Sequence, residues 1–278
     1  MAISILNNIA SLAAQNQLQI TQTGLQKTLF QLSSGSRINS GADDAAGLAI
    51  SNGLQANITA LTQSANNAND GVGALQVADG ALSQVTTLLN RAVTLATEAS
   101  TGTVSSSQRT ALDAEFTQIK AEIDRIGSTT TFNGTSVFTA ATTSIFLSDS
   151  ASSSQIGVTV GALASTAITN GASTANVSAD DLTTAVKAQT ALGDINTAIA
   201  NIAGIRGSIG AGINRLQSAV TVINNQVQNL TAAQDQINAA NIPQQVAKLS
   251  QFTILNQSGI SALAQANSAQ QSILNLLR

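Results

Sequence analysis

Residues 58–96 read ITALTQSANNANDGVGALQVADGALSQVTTLLNRAVTLA, and the spacing of their apolar side chains decides the fold. The apolar positions recur in alternating steps of three and four residues, with one shortened step after Leu75. They are Ile58, Leu61, Ala65, Ala68, Val72 and Leu75, followed by Ala78, Leu82, Val85, Leu89, Ala92 and Ala96. This spacing predicts one long helix with a coiled-coil-like apolar face.

Further helices are predicted on both sides of this segment. Gly102 and residues 105–107, all serine, should end the long helix, and Gly127 should end the helix that follows. The apolar positions of that second helix are Leu112, Phe116, Ile119, Ile123 and Ile126. Helical order should return at Asp180 and Asp181, because an acidic pair suits a helix N-terminus.

The C-terminal half also repeats apolar residues at helical spacing. The first series comprises Ile195, Ile199, Ile202, Ile209, Ile213, Leu216, Val220, Ile223, Val227 and Leu230. Pro243 should then break the helix, because proline lacks a backbone donor and disfavours helix at the residue before it. A last helix is predicted from Val246, Leu249, Phe252, Leu255, Leu263, Ile273 and Leu277.

The middle of the chain has a different character. Residues 128–178 are rich in Ser, Thr, Ala and Gly, and Asn133-Gly134 is a turn signal. Short β-branched runs at residues 144–147 and 156–160 indicate hairpins. A wholly disordered linker is the alternative. With hairpins, the predicted fold is mainly α: a long antiparallel coiled-coil-like helical rod with the chain ends paired and a small β-hairpin-rich central region.

The two ends of the chain are nearly free of charge. Residues 1–36 contain one ionisable side chain, Lys27, and residues 243–278 contain two, Lys248 and Arg278. Disordered tails are the alternative, but disorder favours high charge and few apolar residues. The N-terminal segment instead carries Ile5, Ile9, Leu12, Leu18, Leu25, Leu29 and Leu32. Helices whose polar face is uncharged suit burial among other chains, so polymer-buried terminal helices are the favoured interpretation.

Composition excludes several function classes. The chain has no Cys and no His, so thiol nucleophiles, histidine-based triads and the usual zinc ligand sets are impossible. A formal net charge of −3 offers no basic stripe for nucleic acid. No stretch is apolar enough for a membrane span, and the N-terminus lacks the basic region of a secretory signal. Adjacent acids such as Asp43 and Asp44 are caps far more often than catalysts, so no enzyme and no cofactor are expected.

Several long motifs resemble those of bacterial flagellins. They cover about residues 1–138 and 190–278. The N-terminal motifs are SSGSRINS at residues 33–40, DDAAGLAI at 43–50, NDG at 69–71, EIDRI at 122–126 and FNG at 132–134. The C-terminal motifs are LAQAN at residues 263–267 and ILNLLR at 273–278.

The resemblance implies a domain organisation and a set of partners. Residues 1–40 and 243–278 should form the terminal coiled coil, called D0 in the family, and residues 41–138 and 180–242 the helical rod, D1. Residues 139–179 should be a short, variable outer segment. The implied function is a structural subunit that self-assembles into the extracellular flagellar filament used for swimming. Implied partners are further copies of the chain, an export chaperone of the type III apparatus, the filament cap and the hook-junction proteins.

Two sets of residues are candidate contact sites. Subunit assembly is assigned to Ile5, Ile9, Leu12, Leu25, Leu29, Leu32, Arg37, Asp43, Asp44, Val246, Leu249, Phe252, Leu263, Ile273 and Leu277. Arg37, Asp43 and Asp44 could equally form a local turn and helix cap. By resemblance, Arg91, Leu95 and Glu122 match positions through which flagellins engage a vertebrate innate receptor, the alternative being an ordinary helix face. A hook–filament junction protein and a secreted monomeric adhesin or receptor ligand remain alternative functions.

Overall fold

The computed structural model describes residues 8–139, 141–148, 154–169 and 174–276, with side chains in the last helix described to residue 272. The helices are α1 (Ile9–Ser34), α2 (Ala45–Ser100), α3 (Ser106–Thr129), α4 (Ala185–Asn238) and α5 (Ile242–Leu276). The strands are β1 (Thr131–Phe132), β2 (Thr135–Ser136), β3 (Thr142–Phe146), β4 (Gln155–Thr159), β5 (Leu163–Ala164), β6 (Ala167–Thr169) and β7 (Thr174–Ala175). The predicted mainly α fold, with paired end helices and a small hairpin-rich centre, is confirmed.

Contacts divide the chain into two compact units. One unit, here called the terminal unit, contains Met1–Ala56 and Asn229–Arg278, and the other, the central unit, is Asn57–Gln228. The three-part division expected from the resemblance (1–40 with 243–278, 41–138 with 180–242, and 139–179) stays a prediction.

The apolar face predicted for α2 is the core of the central unit. Its positions from Leu61 to Ala96 are buried except Val72, which is half-buried, as is Ile58. α4 runs antiparallel beside it. The Arg206 guanidinium binds the Asp79 carboxylate at 2.7 and 3.2 Å, while Leu216, later in α4, lies against Gly71, earlier in α2. The predicted long helix and its partner are therefore confirmed.

α3 packs on the same core, but Gly127 does not end it. The helix continues to Thr129, and Thr130 adopts an extended conformation. Gly127 is buried, and a Cβ atom built on it would lie 1.9 Å from the carbonyl oxygen of Leu163. The prediction of a stop was wrong because this glycine is required for the close approach of β5 to the helix rather than for a turn.

The central strands form three small antiparallel sheets among the described residues: β1–β2, β3–β4 and β5–β6–β7. Asn133 and Gly134 join β1 to β2 with φ of 49° and 76°, as a type I′ hairpin turn requires. In the second sheet Ile145 pairs with Ile156, so the two β-branched runs lie side by side. The predicted hairpins are confirmed here, while residues 140, 149–153 and 170–173 lie outside the described residues.

The segment that leads into α4 is held by side chains of α3. The Lys120 ammonium donates to the carbonyl oxygens of Ser178 and Asp180 at 3.2 and 2.6 Å, and the buried Leu182 donates its N–H to Asp113 at 2.8 Å. These contacts hold the acidic pair outside the helix, which begins only at Ala185. The predicted start at Asp180 was therefore a few residues too early.

Asp180 itself is in an unfavourable place for a charge. One of its carboxylate oxygens, Oδ2, is buried without a hydrogen-bond partner among the described residues. Burial, reinforced by the neighbouring Asp194 carboxylate, raises the pKa of Asp180 above its ordinary value. Asp181 differs, because Lys187 at 2.6 Å and Thr183 lower its pKa to about 2.

Pro243 lies in the first turn of α5, where its missing N–H costs nothing. The side chain of Asn241 caps this turn by accepting the N–H of Gln244 at 3.1 Å. A break between the last two helices is present, at residues 239–241. The expectation that Pro243 disfavours helix at Ile242 was wrong, because Ile242 is already the first residue of α5 and proline is tolerated in a first turn. None of the helices in the described residues is long and apolar enough to span a bilayer.

Candidate assembly site on the terminal helices

α1 and α5 pack along a face that is unusually polar. In α5 the buried and half-buried positions recur in steps of four and three: Gln245, Leu249, Phe252, Asn256, Gly259, Leu263, Ala266 and Gln270. In α1 the same spacing holds Ser11, Ala14, Leu18, Thr21, Leu25, Thr28 and Leu32. This regular 3.5-residue repeat is the pattern of a coiled coil, although half of its positions are polar or small.

The threonines of this face satisfy their hydroxyls within their own helix. Thr21 donates to the carbonyl oxygen of Gln17 and Thr28 to that of Gly24, each at 2.8 Å. Their methyl groups remain for packing, which explains how Thr21 and Thr28 can be only 2% and 3% exposed. These buried hydroxyls are therefore hydrogen-bonded within α1 and need no partner on α5.

Two glycines bring the helices together. A Cβ atom on Gly24 would lie 2.6 Å from the Phe252 ring, and one on Gly259 would lie 3.2 Å from Leu18. Each glycine thus receives a large side chain of the opposite helix, as a knob fits a hole. The side chain of Asn8 both caps α1, accepting the Ser11 N–H at 3.0 Å, and donates to the Ala266 carbonyl oxygen at 3.1 Å.

Four large apolar side chains of α1 lie on its opposite face. Ile9, Leu12, Ile20 and Phe30 are 71%, 59%, 64% and 62% exposed. At 100° per residue these four positions cluster on the side away from the paired face. We call them the outer stripe of α1. α5 also exposes Val246, Ile254, Leu255 and Ile260.

The sequence-predicted assembly residues therefore divide between two surfaces. Half-buried between the helices are Leu25, Leu32, Leu249, Phe252 and Leu263. Exposed are Ile9, Leu12, Leu29 and Val246. Ile5 and Leu277 lie outside the described residues, as does the side chain of Ile273. Ile20, Phe30, Ile254 and Ile260 were not predicted, although their apolar character in a charge-poor helix was a signal that could have found them.

Asp43 and Asp44 both act locally. Lys27, at 2.6 Å, and the N–H of Asn39 lower the pKa of Asp43 to about 2. Asp44 accepts the Gly47 N–H at 2.8 Å and so caps the start of α2. The turn-and-cap alternative therefore describes their arrangement within one copy.

Arg37 ties the two chain halves of the terminal unit together. Its guanidinium donates to the carbonyl oxygen of Ile237 at 3.2 and 2.9 Å, and its backbone N–H donates to Asn238 at 2.6 Å. Ser36 and Ala239 form an isolated antiparallel bridge beside it. The left-handed Gly35, with φ of 69°, ends α1 and lets the chain turn into this bridge.

The three candidate receptor residues are in different environments. Arg91 and Glu115 form an exposed bidentate ion pair at 2.7 and 3.0 Å, and Arg91 holds the pKa of Glu115 below its usual range. Glu122 pairs with Arg125 on the next turn, which lowers the pKa of Glu122. Leu95 is fully buried in the core. Arg91 and Glu122 are therefore available at the surface, whereas Leu95 supports the helix from inside.

Comparison with known proteins identifies relatives along nearly the whole chain. The profile of the "Bacterial flagellin N-terminal helical region" matches residues 5–143, and that of the "Bacterial flagellin C-terminal helical region" matches residues 192–277. A flagellin of Halalkalibacterium halodurans is 34% identical over 275 residues, covering 98% of each chain. The flagellar filament 33 kDa core protein of Treponema phagedenis is 34% identical over 287 residues, covering 98% of this chain and 99% of the relative.

A solved structure is also similar. The crystal structure of Bacillus cereus flagellin is 29% identical and aligns with a TM-score of 0.48, covering 61% of this chain and 94% of that one.

Proposed function

This chain belongs to the bacterial flagellin family as a structural subunit of the flagellar filament, and we propose that its copies polymerise through the outer stripe of α1. The observation that carries this proposal is the orientation of α1. The helix turns threonine, serine and glycine toward α5 together with three leucines. It keeps Ile9, Leu12, Ile20 and Phe30 in contact with solvent. A helix that is apolar on its outer side needs a further partner to cover it.

Burial of the outer stripe contributes free energy that favours association. Burying a large apolar side chain contributes about 1.5–3 kcal/mol when it starts fully exposed. Since the four side chains of the outer stripe are between 59% and 71% exposed, each can still gain about 1–2 kcal/mol. Four such side chains per copy give about 4–8 kcal/mol, against which the loss of chain and subunit freedom must be set.

The scarcity of charge removes the usual obstacle to such burial. Lys27 and Lys248 are the ionised side chains in the described parts of α1 and α5, and Lys27 is already paired with Asp43. Burying an unpaired charge would cost several kcal/mol, whereas Gln, Asn and Ser can exchange water for neighbouring polar groups. A polymer can therefore enclose these helices at low electrostatic cost.

The cellular setting of the chain follows from the same proposal. The filament subunit works outside the cell, on the bacterial flagellum, and its role is structural rather than enzymatic. Its further partners would be an export chaperone, the filament cap and the hook-junction proteins. A vertebrate innate receptor would contact the exposed ion pairs of Arg91 and Glu122, with Leu95 holding the helix that presents them.

Electron microscopy tests the polymerisation proposal. The purified chain, dissociated by acid and returned to neutral pH with a salting-out agent, should form long uniform filaments. The double variant Ile20→Gln, Phe30→Gln should stay monomeric. Val186→Gln removes an equally exposed side chain (72%) from α4 in the central unit and should polymerise normally.

Removal of residues 243–278 provides a second test, because it deletes nearly all of α5. The truncated chain should remain helical and soluble but form no filaments. Filaments from either the truncated chain or the outer-stripe variant would refute the proposed mechanism. A full-length chain that stays monomeric would refute the proposed function.

A further inference from the structure

The central unit contains an open pocket between α4 and the strands β4 and β6. Its volume is about 610 Å³. Gly157, Gly212 and Ile205 are among its lining residues, and Thr159 and Ser208 add hydroxyls. The Thr159 hydroxyl is hydrogen-bonded to that of Thr142 at 2.7 Å. Arg215 supplies its cationic group, so we call it the Arg215 pocket.

Arg215 is unusual among the cations of this chain. Six of the described Lys and Arg side chains form ion pairs with carboxylates of the same copy: Lys27, Arg37, Arg91, Arg125, Lys187 and Arg206. Arg109 and Lys120 donate to backbone carbonyl oxygens instead. Within the described residues, this leaves only Arg215 and Lys248 without a hydrogen-bonded or ionic partner. Arg215 is the one of the two that lines a pocket.

The chain also has carboxylates that form no hydrogen bond or ion pair among the described residues, although the charge of Glu98, after that of Glu115, helps to raise the pKa of Arg91. The side chains of Asp70, Glu98 and Asp235 make no hydrogen bond or ion pair with the described residues of their own copy. In a chain with only 9% charged residues, unpaired groups of opposite sign are a small and specific set. These carboxylates give the surface of one copy a negative charge, which is opposite in sign to the charge of the Arg215 pocket on another copy.

We propose that the Arg215 pocket binds Glu98 of a second copy of this chain. The proposal rests on the filament function, because an open helical polymer needs contacts between two different patches of the subunit. Gly71 lies against Leu216, which places Asp70 and Arg215 at the same level of the helix pair. Glu98 is 27 residues beyond Gly71 on α2, or about 40 Å along the helix, and so is displaced as a head-to-tail contact requires.

The chemistry of the pocket favours a carboxylate. A guanidinium offers parallel N–H donors that match the two oxygens of a carboxylate. The Ser208 hydroxyl can donate to the same group, and the apolar side of the pocket reduces competition from water.

A charge-reversal cycle tests this contact in the full-length chain. Arg215→Glu and Glu98→Arg should each raise the critical concentration for polymerisation about tenfold, and the double variant should return it toward that of the parent chain. Asn214→Glu is the matched control. It introduces the same side chain on the preceding exposed residue of α4, which does not line the pocket, and should polymerise as the parent chain does.

Three outcomes are distinguishable. Loss of polymerisation in both single variants with recovery in the double variant supports the contact, provided that each monomer keeps the helical circular dichroism and melting temperature of the parent. Normal polymerisation of Arg215→Glu, or a double variant no better than the single ones, would overturn it. A parent chain that forms no filaments would count against the proposed function instead of against this pocket.

Discussion

Substitution of Gly127 by alanine should destabilise the central unit, although alanine is the better helix former. Gly127 lies inside α3, where the exchange alone would gain about 1 kcal/mol. The added methyl carbon, however, would lie 1.9 Å from the carbonyl oxygen of Leu163 and 3.0 Å from its carbonyl carbon. Since backbone and not a flexible side chain occupies this space, β5 must move away from the helix.

The magnitude follows from what that movement disturbs. Overpacking a core typically costs about 1–3 kcal/mol. Just beyond Leu163, Ser165 donates its N–H and its hydroxyl to the Asp124 carboxylate at 2.6 and 2.8 Å, and hydrogen bonds to a charged group contribute about 1.5–3 kcal/mol each. Partial loss of these bonds, added to the clash and set against the helical gain, gives an expected net loss of about 2–3 kcal/mol.

Gly193 is the matched control for this experiment. It is an exposed glycine inside α4, and a Cβ atom built on it meets nothing within 4 Å. Gly193→Ala should therefore raise the free energy of unfolding by about 0.5–1 kcal/mol. Urea unfolding of the monomers, followed by far-ultraviolet circular dichroism, should move the two midpoints in opposite directions. Equal shifts of the same sign would refute the close-approach explanation for Gly127.

Two other substitutions test local features of the helices. Ser105→Ala removes the side chain that caps α3, so the free energy of unfolding should fall by about 1 kcal/mol, measured by the same urea titration; an unchanged midpoint would contradict the capping assignment. Asp180→Asn should stabilise the chain at neutral pH, because the folded state raises the pKa of this carboxyl and so disfavours its charged form. The advantage should shrink as the pH falls toward 3.8, where Asp180 becomes protonated in the unfolded chain as well, and thermal unfolding across that range would show it. A gain that does not change with pH would mean that the charge of Asp180 is not its cause.

The helices of the central unit could be predicted from the sequence because the apolar residues that form their core recur at helical spacing. Leu82, Val85 and Leu89 are apolar, regularly spaced and buried within their own copy, so spacing and burial agree. The Asn-Gly turn was predictable for a similar reason, since few residues tolerate two successive positive φ angles.

The packing of the terminal helices was not predictable from the same signal. The apolar residues of α1 belong to two different surfaces, because Leu25 packs toward α5 while Ile9 and Leu12 lie on the outer side. The residues most buried in the pair, Thr21 and Thr28, are ones that a hydropathy pattern assigns to solvent. Pattern alone also could not identify Gly127, because its role depends on a backbone atom distant in sequence.

The polar face of the terminal pair has a consequence for how firmly its register is fixed. The hydroxyls of Thr21 and Thr28 bond within α1, while the side chain of Asn8 donates directly across to α5, at Ala266. The alignment of the two helices depends chiefly on Gly24 and Gly259, where the absence of a side chain leaves room for Phe252 and Leu18 of the opposite helix. Sliding one helix along the other by a heptad would move Phe252 away from Gly24 and Leu18 away from Gly259. The register of the pair is therefore set by steric fit more than by hydrogen bonds or charge, and a larger residue at either glycine would shift it.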